Sequence, residues 1–280
     1  MNARWASLLV TLVPLPGTIG AQGFAYEGGL SLATGAYIFT ARTTSWALSS
    51  GLSVRAGRFT VRAAAPLFVQ NTTLLTGSGA GIMPSGGPSS GMVQDSGTGG
   101  GGMMGGGGGR RRITMPASAV TGYRVVMGDP VLHLAWNILD DATALTAGVA
   151  TKFPLTDTTA FGTGAWDVGG TVAFTRHIGT AGFVGLDAAY WHFGDLPELD
   201  FRDVVLGTAS AGRSVGAGWA ASLFVSGGTA ALRGYDAPAS VGFTVARLGA
   251  PALWGFTGAI GLSRTVPDVA LSLSWRVRLR

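Results

Sequence analysis

The 280-residue chain contains no cysteine. It can therefore be neither a lipid-modified lipoprotein nor a small secreted domain held by disulfides. Charge is scarce as well: Asp, Glu, Lys and Arg make up 12% of the residues, against roughly 25% in an average soluble protein. Lys152 is the single lysine, so the net charge of +5 rests on arginine. Apart from Arg110, Arg111 and Arg112 the basic residues are scattered, with no aromatic-interleaved patch and no binding motif, which excludes nucleic acid as a partner.

Long apolar runs are missing too. A helix needs about 18 or more apolar residues to cross hydrocarbon, and none follows the N-terminal segment, although mean hydropathy is positive at +0.37. Only helices and closed barrels satisfy every backbone N–H and C=O inside lipid, so an apolar chain without spanning helices points to a barrel. Catalytic signatures are also lacking. The three histidines are His133, His177 and His192, and there is no Gly-x-Ser-x-Gly elbow or His-Glu-x-x-His pair. His192 stands where a lipid-hydrolysing barrel would carry its base, but no serine or acidic partner lies at a convincing spacing. No catalytic residue, cofactor or metal is expected, since scattered histidines argue against zinc.

What is present begins with an export signal. Arg4, the apolar stretch Trp5 to Leu15 and the small pair Gly20-Ala21 mark residues 1–21 as a signal peptide, leaving 22–280 as one barrel domain. Period-two alternation recurs along that domain. Trp46, Leu48, Leu52 and Val54 read as one face, with Ala47, Ser49, Gly51, Ser53 and Arg55 opposite. Phe59, Val61, Leu67 and Val69 oppose Thr60, Arg62, Phe68 and Gln70. In the last strand Val269, Leu271, Leu273, Trp275, Val277 and Leu279 alternate with a row ending in Arg276, Arg278 and Arg280. The pattern predicts a closed antiparallel transmembrane barrel of about twelve strands, ten or fourteen also being compatible. The candidates lie near 24–40, 44–55, 58–70, 124–139, 142–153, 165–177, 181–194, 201–212, 216–227, 237–247, 252–264 and 268–279.

Short and long connections fall on alternate turns, except that the first and last outer connections, near Arg42 and near Pro267, read as short; the alternation places both termini on the periplasmic side. The Gly/Ser-rich stretch 76–112, with Met83, Met92, Met103 and Met104, reads as a disordered outer loop. Its methionines lack the regular spacing of a copper(I) site.

From Gly128 onward a series of motifs follows in order. Gly128-Asp129-Pro130 opens a strand, Asp140-Asp141 marks a turn, and Lys152-Phe153-Pro154-Leu155-Thr156-Asp157 closes the next strand. Gly162-Thr163-Gly164-Ala165-Trp166-Asp167 and an aromatic strand end with Gly194-Asp195 come after. The series resembles the outer-membrane transporters named after the meta pathway of phenol degradation, over roughly residues 128–195. The resemblance implies an outer-membrane barrel that passes small, often hydrophobic molecules. The chain departs from most such barrels in ending Leu279-Arg280 instead of in an aromatic residue.

Parity puts Asp129, His133, Lys152, Asp167 and Asp187 on the inward face, with Arg62 on an earlier strand. These residues are the candidate pore or ligand lining; the alternative is a structural ion-pair network that fills the lumen. Phe68, Phe183, Trp191 and Phe193 form an inward aromatic ledge or interior packing. Trp46, Trp136, Trp166, Trp254 and Trp275 read as interfacial girdle residues. The expected partners are outer-membrane lipid and a small-molecule solute. The expected function is a passive channel or facilitator for small, hydrophobic or aromatic solutes, the alternatives being a non-conducting anchor or surface-interaction barrel and, less favoured, a hydrolase.

Overall fold

A computed structural model describes residues 23–39, 41–71, 75–84, 122–156, 163–194, 201–216, 218–232, 234–249 and 252–279. The proposed signal peptide lies outside them. The strands are β1 (Gly23–Gly35), β2 (Thr43–Ala56), β3 (Phe59–Gln70), β4 (Leu75–Ser78), β5 (Gly81–Pro84), β6 (Arg124–Met127), β7 (Val131–Asp140) and β8 (Thr143–Lys152). They continue with β9 (Asp167–Ile178), β10 (Gly182–His192), β11 (Val204–Ser214), β12 (Trp219–Gly228), β13 (Ala239–Arg247), β14 (Ala252–Gly261) and β15 (Val269–Leu279). No helix occurs among the described residues.

Neighbouring strands pair antiparallel, and β1 closes the ring on β15 from Phe24↔Leu279 to Thr34↔Val269. Because β6 and β7 both pair with β3, they act as one interrupted strand and the barrel has twelve staves. The interruption has a covalent cause. Pro66, whose carbonyl faces this side, has no N–H to give the ladder, and the register slips by one residue between Leu67↔Met127 and Ala64↔Val131. Gly128 bridges the gap by donating its N–H to the Pro66 carbonyl at 2.7 Å. The predicted single strand 124–139 is thus two strands, and the slip is what turns Asp129 inward.

The outward rows are apolar and exposed. Trp46, Leu48 and Leu52 on β2 are each more than 40% exposed, and Phe59 and Val61 on β3 likewise. The inward rows are buried and small: Ala47, Ser49 and Ser53 on β2, Ser240 on β13, Thr257 on β14 and Ala270 on β15. A surface of this kind is stable only against lipid, and the interior faces water or packed side chains.

Connections of two to four residues join strands at one end, and connections of seven or more at the other. Outer-membrane barrels keep the short turns on the periplasmic side. One expectation fails at the long-loop end. Residues 76–84, read from composition as part of a disordered loop, form with Leu75 the hairpin β4–β5, while 85–112 lie outside the described residues. Leu75 and Ile82 supply apolar contacts that the surrounding glycine content had averaged away, and Ser78 closes the turn by donating its hydroxyl to the Gly81 carbonyl at 2.7 Å.

Candidate functional site

The hairpin β4–β5 crosses the outer half of the lumen. At its base Leu75 is fully buried in a cluster with Tyr37, Phe39, Ala47, Phe68 and Leu232, and the Gln70 side chain donates to the Leu75 carbonyl. At its tip Gly79 lies flat on the indole of Trp191, where a Cβ would collide with the ring. Trp191 is 2% exposed and belongs to a second cluster with Ala150, Ala189, Phe193 and Val204, against which Ala80 and Met83 of the hairpin pack. Phe68 and Trp191 are therefore walls that clamp the hairpin from two sides.

The tip is also held by charge. The Gly79 N–H donates to Asp167 Oδ2 at 2.6 Å. The same carboxylate lies 3.4 Å from Lys152 Nζ, which is 3.2 Å from Asp129 Oδ2 and also contacts the Thr163 hydroxyl. Asp129 Oδ1 accepts the N–H groups of Leu155 and Thr156, and Asp167 Oδ1 accepts that of Gly194. Lys152, Asp129 and Asp167 are each at most 6% exposed. One cation thus balances two carboxylates whose spare lone pairs take backbone donors, the arrangement that makes buried charge tolerable. The Gly-Asp-Pro, Lys-Phe-Pro and Gly-x-Gly-x-Trp-Asp motifs, with Gly194, all meet here.

The other candidates are dispersed. Arg62 pairs with Glu27 at 2.6 Å, and Arg276 shares the same carboxylate at 3.3 Å. His133 stands opposite Arg62 in register, with Nε2 3.3 Å from the Thr171 hydroxyl. Asp187 joins neither group: its two carboxylate oxygens are hidden and find no hydrogen-bond partner among the described residues. Phe183 is on the inward face of β10 near the short-turn end, away from Trp191 and Phe193. Glu27, Thr163 and Gly79 are the site residues that sequence reasoning missed.

Beside the hairpin is a cavity of about 70 Å³ at the outer mouth. Ile82, Met83 and Pro84 form one wall, Val204 and Leu206 of β11 another, and Leu232 and Val266 of the outer connections complete it. Its lining is predominantly apolar.

On the lipid side, the structure corrects one expectation. His192 does have an acidic partner: its Nδ1 is 2.9 Å from Asp203 Oδ1, and the Tyr190 hydroxyl donates to Asp203 Oδ2. Trp191↔Val204 ends the β10–β11 ladder, so Asp203 is the next residue facing His192. The Tyr190 hydrogen bond holds the Asp203 carboxyl below the usual carboxylate range against a smaller opposing effect of desolvation, and His192 adds to the lowering. Among the described residues no serine hydroxyl hydrogen-bonds to this pair.

No protein-family model and no curated protein matches the chain. Solved structures do. An outer membrane channel from Pseudomonas putida F1 is similar over 94% of this chain and 97% of its own, with a TM-score of 0.65 and 12% identity. The monoaromatic hydrocarbon channel CymD aligns over 96% of this chain and 92% of its own, with a TM-score of 0.49 and 10% identity. The β domain of the Bordetella autotransporter BrkA gives the same score and identity over 92% of this chain and 100% of its own. The first likeness establishes the fold as that of an outer-membrane barrel. At such identities none of them speaks for a solute.

Proposed function

We propose that the chain is a bacterial outer-membrane barrel, exported by residues 1–21, that lets small apolar solutes pass by diffusion. The observation that carries this reading is the apolar cavity between the hairpin and Leu206 at the outer mouth. Apolar solutes leave water for such a surface with roughly 25 cal/mol per Å² of area covered. Below it the inward faces of β12 to β15 carry Ser222, Ser226, Gly242, Thr244, Gly255, Thr257, Ser272 and Ser274. Apart from Phe224, which is buried on the same face of β12 with its ring over Gly242, the side chains there are small and leave width for a guest. The convergence of the motif residues Asp129, Lys152, Asp167 and Gly194 on one cluster supports kinship with the meta-pathway transporters. Their role in this reading is to fix the hairpin beside the path, with Arg62, His133 and Arg276 lining it further in.

The test is equilibrium binding of naphthalene, followed by its fluorescence, to the folded barrel. Wild type should bind saturably, and Leu206→Trp, which fills the cavity, should weaken binding at least about tenfold. Equal binding by both proteins would remove the cavity from the path.

A second reading has its own observation: the hairpin spans the lumen from Phe68 to Trp191, as a plug in a non-conducting anchor would. A folded barrel that neither binds naphthalene nor conducts ions in a planar bilayer would favour it.

A further inference from the structure

Three arginines at the short-turn end point away from the lumen and serve none of the networks above. Arg176 of β9, Arg213 of β11 and Arg247 of β13 are exposed on outward parity, each within the last three residues of its strand. No described residue forms a hydrogen bond or ion pair with them. The described carboxylates at this end are Asp140, engaged by Arg55 at 3.1 Å, and the turn residue Asp141.

Register brings the three together. Arg176 stands opposite Val184 and Arg213 opposite Gly182, two residues apart on the outward face of β10. Strand spacing puts their Cα atoms about 12 Å apart, and Gly182 raises no side chain between them. On the next pair of strands Arg213 stands opposite Ala221, and Arg247 opposite Trp219, again two residues apart on one face. Arg247 is flanked in register by Trp219 and Trp254, both more than 40% exposed. Exposed tryptophan marks headgroup depth, and an outward arginine is costly at the midplane of a barrel but nearly free at the interface.

We infer that Arg176, Arg213 and Arg247 form a binding surface for anionic phospholipids of the periplasmic leaflet. A guanidinium fork matches two phosphate oxygens, and the surface offers three forks with no internal carboxylate to neutralise them. Tryptophans beside Arg247 cover the glycerol and upper acyl region. The inference is independent of whether the lumen conducts.

The experiment places the folded protein in vesicles of phosphatidylethanolamine with a minor share of phosphatidylglycerol and measures which lipids remain with it after mild detergent extraction. Wild type should retain phosphatidylglycerol above its bulk share. Each arginine replaced by glutamine should lower that excess about fivefold, and the Arg176→Gln, Arg213→Gln, Arg247→Gln protein should retain the bulk ratio. Arg124→Gln, at the opposite rim, serves as a charge-matched control and should behave as wild type. Heat-dependent gel mobility confirms closure of every barrel, and the single variant Arg213→Gln carries the test if the triple one does not close. No excess in wild type, an unchanged excess in the variants, or loss of the excess on adding inorganic phosphate would each overturn the assignment, the last by showing a site for soluble anions.

Discussion

Gly79 and Asp167, far apart in sequence, meet through one short hydrogen bond from a hairpin tip to a strand end. That bond ties the β4–β5 hairpin, which pairs with no strand of the barrel wall, to the Lys152 cluster. Asp167→Asn keeps the side chain's shape but removes its charge from both Gly79 and Lys152. Loss of a charge-assisted bond of this kind costs about 1.5–3 kcal/mol, and the hairpin should loosen before the barrel does. Protease sensitivity near residue 79 should rise, and any single-channel current should grow or become noisier. Unchanged sensitivity and current would mean that packing on Trp191 holds the hairpin alone.

Lys152→Ala removes the one cation from between Asp129 and Asp167. Two buried carboxylates then face each other uncompensated, a loss of about 3–5 kcal/mol. The variant's unfolding midpoint in urea should fall far below wild type, and adding Asp129→Asn should restore part of it because the two sites are coupled. Additive losses would contradict the cluster.

Gly79→Ala should displace the hairpin through collision with the Trp191 indole. Tryptophan fluorescence should shift as the ring changes environment, and Gly79→Ala combined with Trp191→Leu should recover naphthalene binding. A silent Gly79→Ala spectrum would place the tip elsewhere.

Asp203 titrates below the ordinary carboxylate range because of the Tyr190 hydroxyl. A depressed folded-state pKa means that the contact adds stability above the unfolded value and loses it as pH falls through the folded one. The contact of Asp203 with Tyr190 and His192 should therefore be tightest near neutral pH and loosen in acid. Tyr190→Phe should bring the Asp203 titration, followed by carbonyl NMR, back toward the ordinary carboxylate value; an unmoved titration would assign the effect to His192.

Much of the barrel was legible because lipid enforces a simple rule on every strand. Trp46, Leu48 and Leu52 alternate with Ala47, Ser49 and Ser53 as plainly in sequence as in the structure. Inward charges were legible for the same reason, since Arg62 and Lys152 share parity with small neighbours. Their partners were not. Glu27 is followed by Gly28-Gly29, where alternation fades, and its meeting with Arg276 depends on the β1–β15 seam. His192 and Asp203 are eleven residues apart, a spacing that means nothing until the β10–β11 register is known. The hairpin β4–β5 was hidden because a few apolar residues were averaged with a long glycine run.

The seam that joins Phe24 to Leu279 has a temporal meaning. Neighbouring hairpins can zip locally, but the first strand of the barrel must wait for the last one to be made and delivered. Until then the sheet has two raw edges, each a template for pairing with another chain, and closure between distant partners is slow. A chain cut before residue 269 would not be a smaller barrel but an open ribbon, so maturation of this protein is all-or-none and its survival in transit depends on keeping those edges apart from their counterparts on other copies.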